Sequence, residues 1–141
     1  MPSNECVPSN RVGNMEKDIS IIILDDEPIV CNQLANSLRK EGYATEVFTN
    51  SQDTLDCLAK KRFDILITDL KMKGLKGIDV IRFAKDKQPD IQVIVITGYA
   101  TTATANEVLA AGALHFVPKP FKLQHIKDLI ASMNIELSDS S

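Results

Sequence analysis

Five polar signals sit where apolar runs end. Asp25 and Asp26 follow Ile21-Ile22-Ile23-Leu24, and Asp69 follows Ile65-Leu66-Ile67-Thr68. Thr97 follows Val93-Ile94-Val95-Ile96, and Lys119 follows Phe116-Val117-Pro118. Crowded carboxylates repel one another, and a hard divalent cation with oxygen ligands relieves that repulsion. A carboxylate can also act as a nucleophile and accept a phosphoryl group. A lysine point charge and a threonine hydroxyl can each hold a phosphoryl oxygen. Such transfer rests mainly on positioning and charge neutralisation. Asp69 is therefore the candidate acceptor, Asp25 and Asp26 its acidic companions, and Thr97 and Lys119 the clamps. Singly, each has a bland reading: a solvated acid or helix cap, an ordinary strand-end threonine, a surface lysine. Their placement at successive strand ends raises them together.

The elements that must position these residues alternate along the chain. Strands are predicted at about 19–24, 44–48, 64–68, 92–96 and 114–117, and helices at about 28–40, 51–61, 78–87 and 102–111. A fifth helix starts near Lys122 and carries Ile126, Leu129, Ile130 and Met133 at helical spacing. Pro28 suits the start of the first helix and Gly42 its end. Asn50 or Ser51 suits the N-cap of the second. The fourth, rich in Ala and Thr, has few large apolar anchors. Strands 1, 3 and 4 read as near-continuous Ile/Val/Leu runs, as parallel strands covered on both faces require. Five βα units imply an α/β doubly wound sheet of the flavodoxin-like kind, five parallel strands in order 2-1-3-4-5, helices on both faces. Its topological switch then lies between strands 1 and 3, whose ends carry the carboxylates.

Bulk properties narrow the classes. The chain has 141 residues, 44% of them hydrophobic, so one domain with a real core is expected. Residues 1–17, with Pro2, Pro8 and Gly13, read as a disordered extension, 18–134 as the folded domain, and 135–141 as a flexible tail. The net charge of -3 gives no general pull toward nucleic acid or anionic membrane. No apolar run is long enough to span a membrane, and no signal-peptide pattern opens the chain. Cys6, Cys31 and Cys57 show no pairing or metal-ligand spacing. They read as free thiols, those of Cys31 and Cys57 buried in helices, in a reducing cytoplasm.

The sequence resembles the receiver domain of two-component response regulators. Ile-Leu-Asp25-Asp26-Glu27-Pro28, Thr68-Asp69-Leu70-Lys71-Met72, Ile96-Thr97-Gly98-Tyr99 and the run from Ala111 to Phe121 carry the resemblance, which covers about residues 18–134. The wording from Thr97 to Ala111 is most similar to receivers of the nitrogen-regulator class. The resemblance implies that Asp69 accepts a phosphoryl group from a histidine kinase or phosphotransfer protein in a phosphorelay. It implies Mg²⁺ (or Mn²⁺) held by Asp25, Asp26, Asp69 and the Lys71 backbone carbonyl, with Asp26 the likelier direct ligand of the acidic pair. Thr97 and Phe116 would be switch residues, Lys119 would pair with the phosphoryl group, and Lys119-Pro120 would be cis. Such a protein is a signalling phospho-acceptor that catalyses its own Mg-dependent phosphorylation and dephosphorylation, not a conventional enzyme. Its face of helix 4, strand 5 and helix 5 would shift on phosphorylation and meet a downstream protein or a second copy of the chain.

Departures from the family pattern are specific. Phe116 stands where a tyrosine is frequent and lacks its hydroxyl. Lys73 stands where many relatives have proline. Lys71 and Tyr99, two residues beyond Asp69 and Thr97, occupy positions that tune phosphoryl lifetime in the family. Lys71, Lys73 and Lys76 form a basic rim that reads either as a solvated loop or as an attractor of phosphodonors. The rival reading of the whole chain is a pseudo-receiver that binds a protein without phosphoryl transfer. A phosphohydrolase is disfavoured because its second acid, two residues past the nucleophile, is here Lys71. A dinucleotide enzyme is disfavoured because no Gly-rich fingerprint follows strand 1.

Overall fold

Three isoleucine-rich strands with no exposed face dictate the architecture. The computed structural model describes residues 19–70, 77–98 and 100–133. Its strands are β1 (Ser20–Leu24), β2 (Ala44–Phe48), β3 (Ile65–Asp69), β4 (Gln92–Thr97) and β5 (His115–Pro118). Its helices are α1 (Pro28–Lys40), α2 (Ser51–Lys60), α3 (Gly77–Lys87), α4 (Thr102–Ala111) and α5 (Leu123–Ser132). All strands run parallel in the order β2-β1-β3-β4-β5, as expected. Every residue of β1 and β3 is buried, whereas the edge strands β2 and β5 are only partly covered.

Alternation along each strand divides the interior into two layers. Ile22, Leu24, Leu66, Val93 and Val95 face α2, α3 and α4, where they meet Leu58, Phe63, Ile81 and Val108. Ile21, Ile23, Ile65, Ile67, Ile94 and Ile96 face α1 and α5, against Leu34, Leu38, Ile126 and Ile130. The apolar positions of α5 thus do what their spacing implied: Ile126 and Ile130 are buried, and Leu129 and Met133 pack against the same layer. α4 is the exception: Val108 is its one buried residue. It is instead fixed at its ends, by a reciprocal Thr101/Thr104 capping box and by left-handed Gly112. Asn50, rather than Ser51, caps α2 by accepting from Asp53 N–H at 2.8 Å.

Strand ends differ from the sequence expectation by about one residue. β3 extends to include Asp69 and β4 to include Thr97, because both are drawn into the parallel ladder. The cysteine expectation needs a correction. Cys31 is a buried free thiol, but Cys57 is disulfide-bonded. Its half-cystine was invisible in the sequence because pairing depends on which segments the fold brings together, not on spacing. Among the described residues no helix is long and apolar enough to cross a membrane.

Candidate functional site

Parallel pairing aligns the carboxyl ends of the inner strands. Leu24 lies beside Thr68, so Asp25 and Asp69 emerge as neighbours. Asp69 lies beside Ile96, and Thr97 beside Pro118. Two backbone bonds tie the exits together: Asp25 N–H donates to Phe48 O at 3.2 Å, and Lys119 N–H donates to Thr97 O at 2.8 Å. The Lys119-Pro120 peptide is cis.

The side chains converge tightly. One carboxylate oxygen from each of Asp25, Asp26 and Asp69 lies within 4.8 Å of the others. Asp25 is wholly buried and Asp69 is 6% exposed, while Asp26 opens to solvent. The Lys119 ammonium reaches Asp25 Oδ2 at 2.8 Å, Glu27 Oε1 at 2.8 Å and Asp69 Oδ2 at 3.2 Å. Three carboxylates, those of Asp25, Glu27 and Asp69, therefore contact one ammonium, and Asp26 crowds beside two of them. Burial pushes the Asp25 carboxyl above its usual range, against the opposing pull of Lys119 and of the Glu27 N–H. Burial works against the Lys119 charge, but Asp25 and Glu27 outweigh it and hold the ammonium above the usual lysine range.

The donor set fits a hard cation. Asp25 Oδ1 accepts from Glu27 N–H at 2.9 Å. Asp25 Oδ2 is buried and has no hydrogen bond; its contact with Lys119 is an ion pair by distance alone, not an aligned hydrogen bond. A buried carboxylate oxygen with open lone pairs beside two more carboxylates suits a hard divalent cation with oxygen ligands. The Lys71 carbonyl lies outside the described residues, as do Lys73, Lys76 and Tyr99.

Thr97 is buried at the end of β4. Phe116 is half-buried and packs on the core layer shared by α2, α3 and α4. Two contributors escaped the sequence reading. Glu27 was noted only as part of a motif, although adjacency to the acidic pair was a signal. Gly77 carries no signal in the sequence beyond being a glycine, yet it lies directly against the Asp69 backbone.

Comparison with known proteins agrees with this geometry. The family model of the response regulator receiver domain matches residues 21–131. Response regulator protein PilR of Pseudomonas aeruginosa is 31% identical over 111 residues, which are 79% of this chain and 25% of that protein. The chain thus spans about a quarter of that relative's length. Sporulation initiation phosphotransferase F of Bacillus subtilis is 33% identical, over 78% of this chain and 89% of that protein. NtrX-like regulators of Rickettsia are also among the relatives. A response regulator from Burkholderia pseudomallei, solved with a phosphorylated aspartic acid and a calcium ion, superposes with a TM-score of 0.74 at 30% identity. That match covers 78% of this chain and 65% of the other. Inner-strand pairing, the acidic cluster and the matched span lead to one assignment: the chain belongs to the response regulator receiver domain family.

Proposed function

We propose that the chain is the phospho-acceptor of a two-component phosphorelay, with Asp69 taking the phosphoryl group from a histidine kinase or a phosphotransfer protein. The observation that carries this reading is the convergence of Asp25, Asp26 and Asp69 at the carboxyl ends of β1 and β3, with Lys119 paired to Asp25 and Asp69. An Asp69 carboxylate oxygen forms the new bond to phosphorus. The bond from phosphorus to the donor's nitrogen or oxygen breaks, and its electron pair leaves with the donor. Lys119 holds one equatorial oxygen as a point charge, and Thr97 donates its hydroxyl to another. Asp25 and Asp26, with Asp69, would hold Mg²⁺ or Mn²⁺. When bound, that cation neutralises charge developing on the phosphoryl oxygens.

Phosphorylation would draw Thr97 toward the new oxygens and let Phe116 reorient, shifting the α4–β5–α5 face between two arrangements. Shallow docking of α4, whose one buried residue is Val108, supports such mobility even though its ends are capped. A downstream protein or a second copy of the chain would read that face.

Intact-protein mass after incubation with acetyl phosphate and Mg²⁺ tests the acceptor. A single phosphate adduct is expected, absent with EDTA and in Asp69→Asn. A folded protein that gains no adduct and binds no beryllofluoride would be a protein-binding module instead. Thr97→Val separates the switch from the chemistry: it should still form the adduct but lose the amide shifts across α4, β5 and α5.

A further inference from the structure

Glu27 holds an unusual place. It is the N-cap residue of α1, yet its side chain makes no cap hydrogen bond. Short side chains cap well because they fold back on the helix. The longer Glu27 side chain instead crosses to Lys119, 92 positions along the chain, at 2.8 Å. Its backbone is pinned by the N–H bond to Asp25 Oδ1 and by Pro28 at the start of the helix. Glu27 lies outside the group of acids placed to hold a cation.

An ammonium has three donor hydrogens and no acceptor. Lys119 has three carboxylate oxygens within 3.2 Å, those of Asp25, Glu27 and Asp69. Two of these contacts, to Glu27 and Asp69, are hydrogen bonds and the third is an ion pair. A phosphoryl oxygen arriving on Asp69 competes with all three for the crowded ammonium, and the contact held least tightly gives way. The side chains of Asp25 and Asp69 are 0% and 9% exposed, that of Glu27 60%. An exposed ion pair is screened and weak, so the Glu27 contact yields first. Resting on the phospho-acceptor reading above, we propose that Glu27 is a positioning residue. It holds Lys119 in the unphosphorylated site and gives it up to the phosphoryl group. The ammonium keeps its proton throughout; only its partner changes, from Glu27 Oε1 to an equatorial phosphoryl oxygen. Glu27 therefore stabilises the unphosphorylated state over the phosphorylated one and restrains the reaction.

The test compares wild type, Glu27→Gln and Glu27→Asp, each shown to be folded by its melting curve. Two quantities are read: the rate of Mg-dependent adduct formation from acetyl phosphate, and the hydrogen exchange of the Lys119 ammonium by ¹⁵N NMR. Glu27→Gln should speed adduct formation by about two- to five-fold, the factor expected from losing one exposed ion pair. Glu27→Asp keeps the charge but is one methylene too short to hold Lys119. It should accelerate in the same way, and the Lys119 ammonium should exchange faster in both variants. An unchanged rate in Glu27→Gln, or a Glu27→Asp rate equal to wild type, would overturn the restraint. If wild type itself forms no adduct, the phospho-acceptor reading fails. The NMR comparison then decides alone, because unchanged exchange would show that Glu27 does not hold Lys119.

Discussion

Gly77 and Asp69 touch through their backbones: a Cβ at Gly77 would stand 2.5 Å from the Asp69 carbonyl oxygen. The same Cβ would lie 2.6 Å from Leu70 Cα and 2.7 Å from Leu70 O. Gly77 N–H donates to Leu70 O at 2.9 Å. The first residue of α3 is thus packed on the chain that leaves the candidate acceptor, and only a missing side chain permits that approach.

Gly77→Ala should therefore act on both stability and chemistry. Neither neighbour is a flexible side chain, so backbone must move, at a cost of about 1–3 kcal/mol. Displacing the Asp69 backbone also misaligns the proposed nucleophile, and small misplacements are costly in rate. Urea denaturation and the acetyl phosphate rate should both fall. Gly98→Ala is the matched control, since its Cβ would meet nothing within 4 Å; its stability should stay within about 0.5 kcal/mol of wild type. Equal behaviour of the two variants would refute the packing argument.

The fold was legible where burial imposes a pattern. Short, uninterrupted apolar runs rich in β-branched residues, at Ile21 to Leu24 and Val93 to Ile96, have the pattern of inner parallel strands, and that is what they form. The order of strands followed, and with it the meeting of Asp25 with Asp69. Contacts made by exceptions to local preference were not legible. Nothing in the sequence says that Glu27 forgoes its helix to reach Lys119, or that Gly77 must be bare because Asp69 lies beneath it. Both depend on residues distant in the chain. The same limit explains Cys57, whose oxidation state is set by tertiary proximity.

Crowding of negative charge predicts the response to Asp69→Asn. Asp25, Asp26 and Asp69 crowd together, and Lys119 is shared by Asp25, Glu27 and Asp69, of which Asp69 makes the longest contact at 3.2 Å. Removing its charge relieves repulsion and leaves Lys119 with Asp25 and Glu27. In EDTA, Asp69→Asn should raise Tm by about 2–5 °C. Adding Mg²⁺ should narrow that gap, because the wild-type site gains more from a cation that binds only the folded state. A metal-free Tm at or below wild type would count against repulsion as the dominant effect.

Alkaline pH should weaken the fold through Cys31. Its thiol donates to Asp25 O at 3.2 Å, and burial, with the Asp25 charge, pushes it from 9.0 up to about 11. The unfolded thiol loses its proton near 9.0, while the folded one keeps it to about 11. Across that window the native state binds more protons than the unfolded state, so stability falls as pH rises. Buried Tyr43, raised above its ordinary 10.0, adds a slope of the same sign. Urea midpoints measured from about pH 8 to 10.5 should decline, and the decline should be shallower in Cys31→Ala. Parallel slopes in the two proteins would exclude Cys31 as the source.

At the far end of the sheet, Gln88 offers a change of stability without a change of chemistry. Its Nε2 donates to Leu58 O at 2.9 Å and to Lys61 O at 2.7 Å, and its Oε1 accepts from Phe63 N–H at 2.8 Å. One amide thus satisfies carbonyls at the end of α2 and the N–H that leads into β3, groups a helix end leaves open. Gln88→Ala should cost about 2–3 kcal/mol, discounted for partial access of water to the three groups. Gln88→Glu should not rescue it, because a carboxylate has no hydrogen to give to Leu58 O and Lys61 O. These contacts lie before β3 and β4, whereas Asp69 and Thr97 end those strands. The phosphorylation rate of folded Gln88→Ala should therefore equal wild type. A stability loss under about 0.5 kcal/mol would mean that water replaces the amide fully, and a slowed reaction would mean that the two ends of the sheet are coupled.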